Sequence, residues 1–446
     1  MMFSKDELIR ETGAEVLVDV GKDVNYTVST DTRTIGGSDI YLPLKGETFD
    51  GENFIDKAIE AGAGAYFTTG DKIFPHADLV LKVKDTKEAY LNIAAFYRKK
   101  KNPKVVAVTG SSGKTTTKEI IYSVLSQDFI THKTFSNHNN EIGFCQTVLS
   151  MPENTQMLIV EMGMRGLGEI ELISTHLEPD IAVITNSGSA HVGRLGSLDN
   201  IAIAKCEIAS GLKKDGVFIA KNQDIIKKHL NYGGKTVYYS LDDVEIIEKS
   251  QSYSKFVYKG ETYELNVEGD YNIENSLAAV EVGIVLGMSP ESVKKGLLSY
   301  RPIEKRWEVE QVGNLKFIND SYNANPESMK ASVKTFVELY ENPVVVLGNM
   351  GELGDDEVAY HRQVGEYLSE VSPKNIKFIT VGNLAGEIAQ VLSNKGFDVK
   401  KFENNEQASC YIVENLHADY TIFLKASRSM KFEEILDSVK RGIVKL

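Results

Sequence analysis

The segment VVAVTGSSGKTTTKEIIYSVL, residues 105–125, constrains this chain more than any other. A β-branched apolar run, a glycine-rich turn and a helix follow one another without interruption, the order that presents turn amides and a helix N-terminus to an anion. Gly110 and Gly113 free the backbone to turn its amides inward. Lys114 is placed to reach the terminal phosphates of a nucleotide and Thr115 to ligate Mg2+. Only two residues, Ser111 and Ser112, separate the glycines, where the common phosphate loop has four. A glycine turn that does no more than cap a helix is the competing reading. Lys-Thr at the helix start favours the phosphate loop, so ATP is expected against Gly110, Ser111, Ser112, Gly113, Lys114, Thr115 and Thr116.

The same grammar recurs along the chain. The runs VVAVTG, MLIVEMG, IAVITNSG and GVFIAK each lead into a loop and a helix, which predicts a parallel sheet covered on both faces. SYSKFVYKGETYELNV alternates around Lys259-Gly260 and predicts an attached hairpin. From about Gly313, PVVVLGNMG, IKFITVGN and YTIFLKAS repeat the pattern in a Rossmann-like unit that lacks GxGxxG. Near the start, DIYLPL, GAYFTT and LVLKV with one helical stretch, Phe54–Ala61, predict a small α/β unit. DTKEAYLNIAAFYRKKKN then reads as a connecting helix ending at Asn102-Pro103. At 446 residues the chain exceeds a single core. The expected fold class is α/β in three domains: 1–84, 85–307 with the ATP site, and 308–446.

Composition removes several function classes. Sixty-three acidic against 50 basic residues give a net charge of -13, which repels polyanions and disfavours nucleic acid as a partner. No apolar run approaches the ~18–20 residues that span a bilayer, and MMFSKDELIRETG has no basic flank followed by an apolar stretch. No stable membrane insertion is expected, and the location expected is cytoplasmic. Cys145, Cys206 and Cys410 have no CxxC spacing and are expected to be buried, reduced thiols.

Two more strands end in residues able to meet a metal. Glu161 closes MLIVE, and His191 lies just beyond IAVITNSGSA. Alone, one reads as an ordinary strand-end carboxylate and the other as a satisfied loop histidine. The carboxyl ends of parallel strands share one edge, so beside a phosphate loop both are candidate partners of Mg2+.

VTGSSGKTTTKE, THKTFSNHNNEIGF, VEMGMRGLGEI, ITNSGSAHVGRLGS, IAKCEI, GDYNIENSLAA and NDSYNANPESM, in that order, resemble the Mur ligase family. The resemblance runs from DTRTIGGSDIYLPLKGETFDG near the start to LKASRSM near the end. NHNNEIG, DSYNANP and LGNMGELG are similar to the branch that adds D-alanyl-D-alanine to UDP-N-acetylmuramoyl-tripeptide (UDP-MurNAc-tripeptide). The resemblance implies that a substrate carboxylate attacks the γ-phosphate of ATP and that the dipeptide amine attacks the acyl phosphate.

Residue by residue, the resemblance implies a catalytic set of Lys114, His191, Lys205 and Arg306. Lys114 meets the β- and γ-phosphates, Thr115 and Glu161 hold one Mg2+, and His191 meets a second. Lys205 corresponds to a lysine carried as a carbamate; composition alone reads it as a solvated helix lysine. Asn272 and Asn275 correspond to adenosine contacts, although Asn272 also reads as a helix N-cap. Arg306 corresponds to a γ-phosphate contact and Asp320 to a ribose or interdomain contact. Asp31, Thr32, Arg33, Lys45 and Gly46 match the uridine diphosphate region. Asn137, Asn139 and Asn140 suit sugar and peptide groups, or turn chemistry alone. Tyr322, Asn323 and Asn325 join the substrate set, and Lys425, Ser427 and Arg428 are candidates for the dipeptide carboxylate or the phosphates.

Tyr271, Asn349 and Ala426 stand where the family carries His, Asp and Gly, and Ala426 would strain the backbone if that position needs positive φ. A monomer is expected. Two other functions compete: an amide ligase of the same architecture that adds a single amino acid, including the folylpolyglutamate type, and a nucleotide-dependent switch, which would be expected to carry an NKxD-type motif that is absent.

Overall fold

The computed structural model describes residues 2–46, 48–303, 305–417 and 419–443. The outer ends of the first and last expected domains, Met1 and residues 444–446, lie outside them. The first sheet contains β1 (Phe3–Ser4), β2 (Glu15–Asp19), β3 (Asn25–Ser29), β4 (Asp39–Tyr41), β5 (Ala65–Thr68) and β6 (Leu79–Lys82) in the order β1-β3-β4-β5-β6-β2. Both edge pairings are antiparallel and the middle ones parallel.

The single expected helix here is corrected to two, α1 (Lys5–Thr12) and α2 (Ile55–Glu60). Leu8 is the one buried residue of α1, so no apolar stripe announces it. A capping box holds it: Ser4 Oγ accepts from the Glu7 amide, and Glu7 accepts from the Ser4 amide. The long helix α3 (Thr86–Lys101) starts at Asp85, whose carboxylate accepts from the Lys87 and Glu88 amides, and stops at Asn102 in the left-handed region. It packs against α1 on one side and, on the other, against α5 (Glu141–Leu149) of the central domain.

The second sheet is parallel throughout. Its strands are β7 (Lys104–Thr109), β8 (Thr131–Lys133), β9 (Met157–Glu161), β10 (Ile181–Ile184), β11 (Val217–Lys221) and β12 (Lys235–Tyr239), in the order β12-β11-β10-β7-β9-β8. β9 and β10 are buried at every residue, and β7 at all but Lys104, which explains their continuous apolar character. The helices that matter for the site are α4 (Lys114–Leu125), α5, α6 (Glu169–Leu177), α7 (Val192–Leu195), α8 (Leu198–Cys206), α9 (Asp224–His229), α10 (Asp270–Val285) and α11 (Pro290–Ser299).

The expected hairpin is part of a three-stranded sheet, β13 (Val244–Ser250), β14 (Tyr253–Tyr258) and β15 (Glu261–Leu265). Lys259 and Gly260 both take positive φ, 50° and 82°, the turn that matches strand twist. β13 has no fully buried residue, so its sequence carries little apolar signal.

The third sheet holds β16 (Glu308–Val312), β17 (Leu315–Asn319), β18 (Pro343–Gly348), β19 (Lys377–Val381), β20 (Asp398–Phe402) and β21 (Thr421–Lys425), in the order β16-β17-β21-β18-β19-β20. β16 and β17 are antiparallel and the other pairs parallel. Its helices are α12 (Pro326–Leu339), α13 (Glu357–Val371), α14 (Ala385–Asn394), α15 (Asn405–Asn415) and α16 (Glu433–Ile443). Cys145 and Cys206 are buried, but Cys410 on α15 is exposed, which corrects the expectation of three buried thiols.

Candidate active site

The turn after β7 needs its glycines. Gly110 has φ 153°, and a Cβ there would lie 1.9 Å from Thr185 Oγ1; Gly113, the N-cap of α4, has φ 76°, and a Cβ would lie 2.5 Å from Asn275 Oδ1. The loop after β10 holds the turn in place. Ser112 donates its amide to Asn186 Oδ1 at 3.0 Å, and Thr185 Oγ1 donates to the Ser112 carbonyl at 2.6 Å. Lys114 Nζ donates to the Gly110 carbonyl at 2.7 Å. Desolvation of this ammonium, partly offset by Glu161, holds it below the usual lysine range.

Around Thr115 several charged groups converge. Thr115 Oγ1 donates to Glu161 Oε1 at 3.2 Å, and Asn139 Nδ2 donates to the same oxygen at 3.0 Å. Glu161 Oε2 is buried with no hydrogen bond among the described residues; Lys118 Nζ stands 3.5 Å away. Lys118 is fully buried and donates to the Thr134 carbonyl at 2.9 Å. Arg306 Nη2 reaches Thr115 Oγ1 at 3.0 Å, with its guanidinium 4.0 Å above the Tyr322 ring.

His191 is the N-cap of α7, in the left-handed region at φ 69°. Its Nδ1 lies 2.6 Å from Glu352 Oε2 but off the line of a hydrogen bond, and Arg194 Nε lies 3.3 Å from Glu352 Oε1. The His191 contact holds the Glu352 carboxyl below the usual range. Lys205, in the last turn of α8, has no exposed surface and its Nζ has no hydrogen-bond partner among the described residues. Burial first, and the Lys114 charge second, push it well below the usual lysine range. The reading of Lys205 as a solvated helix lysine is therefore corrected.

These donors suit Mg2+ held with phosphate. Glu161 offers a buried oxygen without a hydrogen bond beside the Thr115 hydroxyl, whereas the Lys205 amine itself is no oxygen donor and would serve a hard cation only once carbamylated. No group of three or more His, Cys, Asp or Glu able to hold a metal occurs among the described residues. A hard cation here must complete its oxygen shell from the nucleotide or water.

A cleft of about 1030 Å³ opens between the central and C-terminal sheets. Ser111, Ser112, Gly113, Lys114, Thr115, Thr116, Asn137, Asn139, Asn140, Glu161 and His191 line it from the central domain, joined by Asn272, Asn275 and Arg306. Asp320, Tyr322, Asn323, Asn325, Lys425 and Arg428 line it from the other side. Gly110, Lys205 and Ser427 are not on its wall, nor are Asp31, Thr32, Arg33, Lys45 and Gly46 of the first domain. Arg33 instead grips Asp31 with two nitrogens, Nε at 2.9 Å and Nη2 at 2.6 Å, and Lys45 pairs with Asp50 at 3.3 Å.

Several lining residues also hold the fold. Asn140 caps α5 by accepting from the Gly143 amide, and Asn325 caps α12 by accepting from the Ser328 amide. Asn272 is not an N-cap: Gly269 takes that position on α10, and Asn272 Nδ2 reaches back to the Glu268 carbonyl at 2.7 Å. Asp320 accepts from Lys425 Nζ at 2.5 Å and from Ser332 at 2.8 Å. Arg428 pairs with Glu433, and the Ser427 amide donates to the Asn349 carbonyl.

The three departures are accommodated. Ala426 is not among the residues with positive φ, and a Cβ on Gly348 would meet its methyl at 2.7 Å, so glycine relief is supplied on the neighbouring strand. Asn349 Oδ1 accepts from the Ala385 amide at the start of α14. Tyr271 lines the cleft with its ring 6.0 Å from Trp307.

Sequence reasoning missed Lys118, Glu327 and Glu352. Lys118 follows Lys114 by four residues and shares its helix face, a signal that was readable. Glu327 on α12 accepts from the Ser189 amide and hydroxyl at 3.0 and 2.9 Å, a contact no local pattern reveals.

Residues 26–109 match the Mur ligase family, catalytic domain; residues 108–283 the Mur ligase middle domain; and residues 305–428 the Mur ligase, glutamate ligase domain. The UDP-N-acetylmuramoyl-tripeptide--D-alanyl-D-alanine ligase of Bacillus subtilis is 39% identical over 432 residues, covering 93% of each chain. The ligase of the same name from Escherichia coli is 30% identical over 444 residues, covering 96% of this chain and 95% of its own. Among solved structures, MurF from Acinetobacter baumannii superimposes with a TM-score of 0.90 at 27% identity over 99% of both chains. A folylpolyglutamate synthase from Thermotoga maritima shares the fold at a TM-score of 0.54 and 16% identity over 78% of this chain and 93% of its own. With its three regions in family order and relatives matched over nearly its full length, the chain belongs to the Mur ligase family.

Proposed function

We propose that this chain is an ATP-dependent ligase that joins D-alanyl-D-alanine to UDP-MurNAc-tripeptide, giving UDP-MurNAc-pentapeptide, ADP and phosphate in peptidoglycan precursor synthesis. The names carried by its relatives at 39% and 30% identity support the substrates. One observation supports the chemistry above others: Thr115, Glu161 and Arg306 meet at the head of one phosphate loop, with Lys114 beside them.

A tripeptide carboxylate oxygen forms a bond to the γ-phosphorus, and the bond to the ADP oxygen breaks. The dipeptide amine then bonds to the acyl carbon, phosphate leaves and the amine loses its proton. Lys114 and Arg306 offset charge on the transferring phosphoryl group. Thr115 and Glu161 would hold one Mg2+ and His191 a second, and bound Mg2+ supplies further charge neutralisation and orientation.

Lys205 enters this reading as a carbamate. Its buried amine is held toward the neutral form, which is the form that bonds to carbon dioxide with loss of a proton. Asn272 and Asn275 face the adenosine, and Asp320 the ribose or the domain boundary. Asn137, Asn139, Asn140, Tyr322, Asn323 and Asn325 face the sugar-peptide. Lys425, Ser427 and Arg428 serve the dipeptide carboxylate or the phosphates. Asp31, Thr32, Arg33, Lys45 and Gly46 take the uridine diphosphate on the first domain, so the substrate spans from that domain to the cleft. The enzyme works as a monomer in the cytoplasm in this reading; no helix among the described residues is long and apolar enough to cross a membrane. The test follows phosphate release and product mass with MgATP and UDP-MurNAc-tripeptide. Phosphate and a pentapeptide product that require D-alanyl-D-alanine support the reading, and a product formed with a single amino acid overturns it.

A further inference from the structure

Across the boundary between the central and C-terminal domains, His191 and Glu352 face each other, both in the left-handed region, at φ 69° and 61°. Such conformations are unfavourable for non-glycine residues and persist where surrounding structure imposes them. Here the surroundings are the two backbones. The Gly193 amide donates to the Glu352 carbonyl at 3.1 Å. A Cβ on Gly193 would stand 2.3 Å from the Gly354 nitrogen, and one on Gly354 would stand 2.6 Å from the Gly193 Cα. The two loops therefore lock together through glycine backbone, and the lock brings one carboxylate oxygen to 2.6 Å from His191 Nδ1. That nitrogen is buried and, with the carboxylate off the line of a hydrogen bond, has no hydrogen-bond partner among the described residues. Both side chains reach the wall of the same cleft as Thr115 and Glu161.

An imidazole has one nitrogen that donates and one that accepts, and the partner of the first decides which is the second. A carboxylate at this distance from Nδ1 needs only a turn of the ring or of the carboxylate to accept the Nδ1 proton, which leaves Nε2 with its lone pair, the form a metal-facing histidine needs. We infer that Glu352 is a positioning residue that the C-terminal domain delivers to His191, fixing its ring and its tautomer, so that the central domain's metal-facing histidine is complete only when the two domains are docked. The inference rests on the proposed ligase reading, in which His191 meets Mg2+. Arg194, whose Nε lies 3.3 Å from the other Glu352 oxygen, holds the carboxylate from its far side.

The experiment uses the full chain with nitrogen-labelled histidines, assigned through His191→Ala, and reads the ring-nitrogen shifts with the imidazole neutral, alongside steady-state ligase kinetics and thermal midpoints. Glu352→Ala is expected to move His191 away from the Nδ1–H tautomer and lower kcat by about 10–100-fold, with the midpoint and the KM for the dipeptide little changed. Glu352→Gln keeps an accepting oxygen and is expected to recover most of both signals. An unchanged tautomer in Glu352→Ala, or a kcat loss that tracks a fall in the midpoint, overturns the inference. Where His191→Ala is inactive and Glu352→Ala fully active, this inference fails alone. Full activity of His191→Ala overturns it together with the role of His191 in the ligase reading.

Discussion

Lys118 and Glu161 bury opposite charges 3.5 Å apart behind the Thr115 hydroxyl. Removing one partner of such a pair leaves the other charge in a medium that cannot solvate it, at a cost of about 3–5 kcal/mol. Lys118→Met is expected to lose stability on that scale in urea unfolding, and adding Glu161→Gln to recover part of it. An unchanged midpoint in the single variant would refute the pairing. Asp31 shows the exposed case. Arg33 grips it from two nitrogens and holds its carboxyl at about 2, below the ordinary 3.8. The folded-state value is depressed, so any stabilisation is present above the ordinary value and lost as pH falls through about 2. Because the pair is exposed, its worth is small. NMR titration is expected to place Asp31 near 2, and Arg33→Ala to return it to the normal range. Lys205→Ala is expected to abolish ligase activity and short carboxylic acids to restore a fraction; full activity without them would remove the carbamate from the scheme. Glu161 was readable in the sequence as a strand-end carboxylate. The environment of Lys205 was not, because the burial that disfavours its charged form is set by how whole elements pack.

At the scale of elements, β7, its turn and α4 form one unit whose shape rests on Gly113. Gly113→Ala combines φ 76° with a Cβ placed 2.5 Å from Asn275 Oδ1. The strain, about 1–3 kcal/mol, is expected to fall on nucleotide binding, so ADP titration calorimetry should show at least tenfold weaker affinity with an unchanged far-ultraviolet spectrum. Wild-type affinity would contradict the need for glycine. The strands of the central sheet were legible because burial on both faces writes them as continuous β-branched runs. α1 and β13 were not. One is held by a capping box around a single buried leucine and the other lies half in solvent, so neither carries an apolar period. Asn272 shows the limit of local rules: an asparagine near a helix start resembles a cap, yet Gly269 takes that place.

For the whole molecule, the cleft depends on how the third sheet docks on the second. Glu327 and Glu352 cross that boundary to Ser189 and His191, and Arg306 reaches Thr115 from the segment that joins the two domains. Gly354 sits with its would-be Cβ 2.6 Å from the Gly193 Cα. Gly354→Ala is expected to separate the loops, raising the radius of gyration in small-angle X-ray scattering and lowering ligase rate, while each domain keeps its secondary structure. An unchanged radius and rate would show that the docking does not rely on this contact. The sequence alone determined the phosphate loop, the parallel strands and the family, because each is written in the spacing of neighbouring residues. Only the tertiary structure decided that residues 191 positions apart, Thr115 and Arg306, share a hydrogen bond, or that Lys118 and Lys205 are buried. Such contacts follow from the packing of whole sheets against one another, and no local spacing encodes that packing.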